Sequence, residues 1–158
     1  MSLYSTFKTN DQFEIDGIFI QYGYLNDDES KPVRFKIARA GGANTAFAKA
    51  LEKATKPYRK QLQAGLLDDR TADRLYREVF ADTVVLDWEN VTDSDGNLLE
   101  FTKENVLKVF KDLPDLFLDL REQSNNVGLF REDVREGDLG NSGKSSAMDS
   151  SKGQSKQK

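Results

Sequence analysis

VRFKIARAGGANTAFAKALEKATKPYRKQL (33–62) carries two periodicities back to back. Val33, Phe35 and Ile37 alternate with Arg34, Lys36 and, further on, Arg39, the period of two expected of a strand with one buried face. Gly41-Gly42 break that pattern. Beyond them Phe47, Leu51, Ala54, Tyr58 and Leu62 recur at intervals of four or three, which places them on one stripe of an amphipathic helix. Asn44 offers this helix an N-cap, and Pro57 predicts a kink or a restart within it. A strand that feeds straight into a helix sets the class as α+β.

Upstream, FEIDGIFIQYGY (13–24) reads as a partner strand. Ile18, Ile20, Tyr22 and Tyr24 share one parity and Phe13 and Ile15 the other, so a turn or glycine bulge is expected at Asp16-Gly17. The polar connection LNDDESKP (25–32) makes the pair a small antiparallel hairpin or meander, which needs a helical layer against its apolar face.

Downstream, Asp68 or Asp69 caps a helix whose apolar face is Ala72, Leu75, Tyr76, Val79 and Phe80. VLDWENVTDSDGNLLEF (85–101) follows, and Asp95-Gly96 within it predicts a short central hairpin. Thr102 is the N-cap of the next helix, with Phe101 and Val106 at the spacing of a hydrophobic staple. Leu113-Pro114 ends that helix and starts another, which carries Leu116, Leu120, Val127 and Phe130 on one face. The expected core is Phe35, Ile37, Phe47, Leu51, Leu75, Val79, Trp88, Phe110 and Leu116. Residues 137–158 hold four Gly, six Ser and no aromatic residue, so the reading is one domain over 1–136 and a disordered tail after it.

Composition narrows the chemistry. The 158 residues include no Cys and no His, which excludes a thiolate or imidazole nucleophile, base or ligand within this chain. No apolar run is long enough to span a membrane, and the start, MSLYSTFKTNDQF, lacks a signal-peptide core, so a soluble cytosolic protein is expected. The net charge of −4 is segregated: residues 41–65 carry five cations against Glu52 alone, whereas residues 66–135 carry nine cations and seventeen acids. An acidic remainder opposes a polyanion, so nucleic acid is not an expected partner.

Three motifs carry bland readings. Asp93-x-Asp95-Gly96 departs from a calcium loop, because Val91 and Thr102 stand where acids belong, and reads as a turn with solvated acids. Gly41-Gly42 lacks the remaining residues of a phosphate loop and reads as a strand-to-helix turn. Asp112, Asp115 and Asp119 read as the solvated side of an acidic helix rather than a carboxylate pair for catalysis. No catalytic residue, metal or cofactor is expected, and a binding protein rather than an enzyme is the reading.

Two stretches, 35–62 and 84–130, carry a resemblance. Trp88, Glu89, Val91, Asp93 and Gly96 form one motif, Phe101, Thr102, Glu104 and Asn105 a second, and Leu113, Pro114 and Leu116 a third. In that order the chain resembles the tail assembly chaperones of long-tailed bacteriophages over about residues 33–131. The resemblance implies a non-enzymatic protein of the host cytoplasm. It would bind the tape measure protein, help recruit tail tube subunits, and be absent from the mature virion. Many relatives in that group also have a frameshifted longer form. The partner-binding residues expected on this reading are Trp88, Phe110, Leu113, Phe117, Leu120 and Phe130 on the acidic half. Lys53 and Arg59 on the basic helix would meet an acidic partner or a second copy. The alternative is a minor structural tail protein, tube or connector, retained in the virion.

Overall fold

The computed structural model describes residues 2–131 and is a mixed α+β structure. The chain runs α1 (Leu3–Phe7), α2 (Asp11–Asp16), β1 (Ile18–Tyr24), β2 (Pro32–Ile37), α3 (Thr45–Thr55), α4 (Arg59–Gln63), α5 (Asp69–Thr83), β3 (Val85–Glu89), α6 (Lys103–Asp112) and α7 (Pro114–Ser124). Short 3-10 turns occupy Leu25–Asp27, Lys56–Tyr58 and Val127–Phe130. The sheet is antiparallel in the order β1-β2-β3. The tail expected over 137–158, and the domain boundary before it, lie outside the described residues.

The alternation in 33–37 decides which side of the sheet is covered. Phe35 and Ile37 are buried, pair with Ile20 and Ile18 of β1, and with Trp88 and Val85 of β3. Phe35 packs edge-on against Trp88 at 5.6 Å and Tyr22 at 6.0 Å. On the other face Arg34 lies 4.1 Å from the centre of the Phe19 ring and donates to both Glu89 carboxylate oxygens at 2.8 Å. Helices α5, α6 and α7 cover the apolar face with a cluster of rings: Phe80 contacts Phe110 and Phe117, and Tyr76 lies against Phe47 and Phe117. Aromatic pairs at these separations add roughly 1 kcal/mol each to area burial.

Three expectations change. Residues 11–16 are a helix, not the start of a strand: the Asn10 side chain accepts from the amides of Gln12 and Phe13, and Gly17, at φ +91°, turns the chain into β1. Asn44 does stand at the start of α3, but its side chain caps nothing. Its amide donates instead to the carbonyls of Arg39 and Thr83 at 2.9 and 3.0 Å, tying the β2–α3 connection to the end of α5. Around Asp95-Gly96 the expected hairpin is minimal: one antiparallel bridge, Thr92 to Leu98, flanked by the Asp93 amide donating to the Asn97 carbonyl and the Leu99 amide to the Val91 carbonyl, both at 2.9 Å. Finally α7 stops at Ser124, so Val127 and Phe130 belong to a 3-10 turn. Leu51 and Leu116 are only partly buried, and the other expected core residues are buried.

The end of the hairpin nearest α2 is stitched by a buried acid. Glu14 is 1% exposed, and its carboxylate accepts from Arg39 Nη1 at 2.8 Å, from the Ala43 amide at 2.7 Å, and from the Thr9 hydroxyl. Burial by itself would raise its pKa. The donors from Thr9, Ala43 and Arg39 together outweigh that and hold the carboxyl below its ordinary value. Gly42 is fixed by this arrangement: it sits at φ +56°, and a Cβ there would lie 2.4 Å from Glu14 Oε1. The double glycine read as a strand-to-helix turn is thus the place where backbone meets a buried carboxylate.

Candidate docking groove

At the opposite end of the hairpin the chain leaves apolar surface open. Tyr22 and Tyr24 of β1, Leu25 just after it and Val33 of β2 form one wall of a hollow of about 360 Å³. Val109 of α6, then Leu113 and Leu116 at the α6–α7 break, form the other. Asn26, Asn90 and Thr92 supply its polar groups. The break itself follows from Pro114: Leu113 takes φ −127°, ψ 72°, outside the helical region, so its side chain stands 54% exposed at the junction instead of continuing the buried stripe.

Two further features mark this end. The non-glycine residues at positive φ among the described residues are Asn26 (φ 53°), Asp27 (φ 60°) and Asn90 (φ 60°), and they line or adjoin the groove. Left-handed backbone at such residues costs of order 1 kcal/mol each and tends to accumulate at binding sites. Asn90 is held by its amide, which donates to the Pro32 carbonyl at 2.8 Å. Across the groove the Tyr22 hydroxyl donates to the Asp119 carboxylate on α7. Burial, followed by the hydrogen bond and charge of Asp119, raises the phenol pKa, so Tyr22 stays protonated and keeps donating throughout the physiological range.

The expected partner residues separate sharply. Leu113 lies in the groove. Lys53 and Arg59 are exposed on α3 and α4, away from it. Trp88, Phe110, Phe117, Leu120 and Phe130 are corrected: each is 6% exposed or less and belongs to the core. The reason is the direction in which their elements face. The apolar stripes of α6 and α7 turn inward onto α5 and the sheet, and Trp88 sits between Phe35 and Phe101 with its indole N–H donating to the Leu99 carbonyl at 3.0 Å. Tyr22, Tyr24, Val33, Asn26 and Asn90 were missed as site residues. The shared parity of Ile18, Ile20, Tyr22 and Tyr24 was the available signal: it carries one apolar face beyond the part of β1 that the helices bury.

Elsewhere the turn reading of Asp93-x-Asp95-Gly96 stands in geometry, whereas Asp119, read as solvated, accepts from Tyr22. Asp93 Oδ1 accepts from the amides of Asp95 and Asn97, both at 2.9 Å, and these bonds, that from Asn97 foremost, lower its pKa. Asp93 is therefore the acceptor that shapes its own turn. Among the described residues no group of three or more acidic side chains is arranged to hold a metal ion, and no helix is long and apolar enough to cross a membrane.

A family model described as YdaY prophage protein matches residues 42–141. The match begins at the glycine that meets Glu14 and takes in α3 to α7 and β3, including the helical wall of the groove, while β1 and β2 precede it. No curated protein and no solved structure matches the chain.

Proposed function

The chain belongs to the YdaY prophage protein family and is of phage origin; from that premise we propose that it is a non-enzymatic tail assembly chaperone. On this reading it holds an amphipathic segment of the tape measure protein in the groove beside Leu113 and helps bring tail tube subunits to it. The observation that carries the reading is the groove: an open apolar trough walled by two tyrosines on one side and Leu113 and Leu116 on the other, with asparagines at hand for polar contacts. Such a surface suits the apolar stripe of a helix, whose anchors recur at three and four residues. The resemblance in the three motifs from Trp88 to Leu116 supplies the identity of the client.

The test is co-expression in bacteria with the tape measure protein encoded by the same prophage. The reading expects a soluble complex that co-purifies with this chain, and aggregation of the tape measure protein when the chain carries Leu113→Lys. Soluble tape measure protein without the chain, or equal capture by the variant, contradicts it. The alternative, a minor structural tail protein, predicts peptides of this chain in purified particles, and mass spectrometry of virions separates the two.

A further inference from the structure

The second surface is electrostatic, and its argument stands apart from the groove. Lys49, Lys53, Lys56 and Lys60 follow one another at four, three and four residues along α3, the 3-10 turn and α4, so they form one stripe roughly 16 Å long at the helical rise. Arg59 adds a fifth cation, and all five are exposed. Lys49, Lys53 and Lys56 border a hollow of about 250 Å³ in which Glu52 is the single acid. None of the five forms an ion pair within the described residues, although Arg34, Arg39, Arg74, Lys103 and Lys108 all do.

The complement is in the same chain. Residues 78–102 hold seven acids and no cation. Glu78, Asp82 and Glu89 are paired with Arg74, Lys103 and Arg34. Asp87, Asp95 and Glu100 are exposed and join no ion pair within the described residues. No ion pair joins this segment to the lysine stripe inside one molecule.

We propose that the cationic stripe of α3–α4 docks the acidic segment around Asp87, Asp95 and Glu100 of a second copy of this chain. Each copy then offers both halves of the contact, so the interface can close as a reciprocal pair or repeat from copy to copy. Because both surfaces are solvent-facing, the association is steered by charge and weakened by salt.

Analytical ultracentrifugation of the full chain tests this. The proposal expects oligomers in about 50 mM salt that dissociate toward monomer in about 500 mM, where the screening length is only a few Å. Lys53→Glu with Lys56→Glu should weaken self-association about tenfold or more, and Asp95→Lys with Glu100→Lys should do the same. Mixing the two double variants should restore hetero-oligomers, because each then carries the surface that the other lacks. Circular dichroism confirms that these exposed substitutions leave the fold intact. A monomer at all salt concentrations overturns the proposal, as do oligomers insensitive to both reversals, or mixed variants that stay apart. If the wild type remains monomeric but shifts duplex DNA, and the lysine variant does not, the stripe belongs to a polyanion instead and the proposal fails.

Discussion

The two ends of the β1–β2 hairpin are built on opposite principles. At the Ile18–Ile37 end buried polar groups are tied down: Glu14 takes three donors, Asn44 bridges two carbonyls, and Gly42 leaves room for the carboxylate. At the Tyr24–Pro32 end the strands outrun the helical layer, and the chain exposes two tyrosines and a leucine beside strained asparagines. One end fastens the hairpin to the helices. The other leaves surface that another polypeptide can cover. Stability and recognition are thus separable along one hairpin, and substitutions at the two ends should affect different measurements.

Glu14→Ala should have the largest effect on stability. It removes the acceptor for Arg39, Ala43 and Thr9 together and strands their donors, which costs about 3 kcal/mol in chemical denaturation. Gly42→Ala comes next, at about 2 kcal/mol, since it combines a left-handed backbone with a Cβ placed against Glu14. Both should leave client binding unchanged under conditions where the protein is folded.

The pH dependence belongs to the fastened end as well. The folded carboxyl of Glu14 lies below its ordinary value of 4.5, so its contribution is complete above that value and is lost as the pH falls through the lower folded one. Denaturation midpoints followed downward from about pH 6 should therefore fall more steeply for the wild type than for Glu14→Gln, whose side chain does not titrate. Equal slopes would remove Glu14 from the account.

At the open end the stability effects shrink. Tyr22→Phe deletes one surface-side hydrogen bond to Asp119 and should cost less than about 1 kcal/mol, while releasing α7 from β1 and changing client affinity. Leu113→Lys should be close to neutral in denaturation, because the side chain is more than half exposed, yet it puts a charge in an apolar trough.

Local rules reached much of this arrangement. The alternation of Arg34 and Lys36 with Phe35 and Ile37 identifies the covered face of β2, Thr102 caps α6 by accepting from the Asn105 amide, and Pro114 opens α7. The failures have physical causes. Phe13 and Ile15 alternate as in a strand, but Asn10 satisfies the first amides of a helix, and a six-residue window does not discriminate the two periods. No local pattern marks the pairing of β3 with β2, which lies about fifty residues earlier. Phe117, Leu120 and Phe130, assigned only to a partner surface, are core instead, and so are Trp88 and Phe110, which were assigned to both, because an apolar stripe in the sequence does not say what lies against it. The groove draws on β1, β2, the loop after β3 and the α6–α7 break, a convergence that no single stretch of sequence displays.

The most direct test is a calorimetric titration of a soluble amphipathic segment of the prophage's tape measure protein into the wild type, Leu113→Lys and Glu14→Gln. The account predicts that Leu113→Lys weakens binding more than about tenfold with an unchanged melting temperature, while Glu14→Gln lowers the melting temperature and keeps the affinity. Undiminished binding by Leu113→Lys would contradict the claim that the groove holds the client.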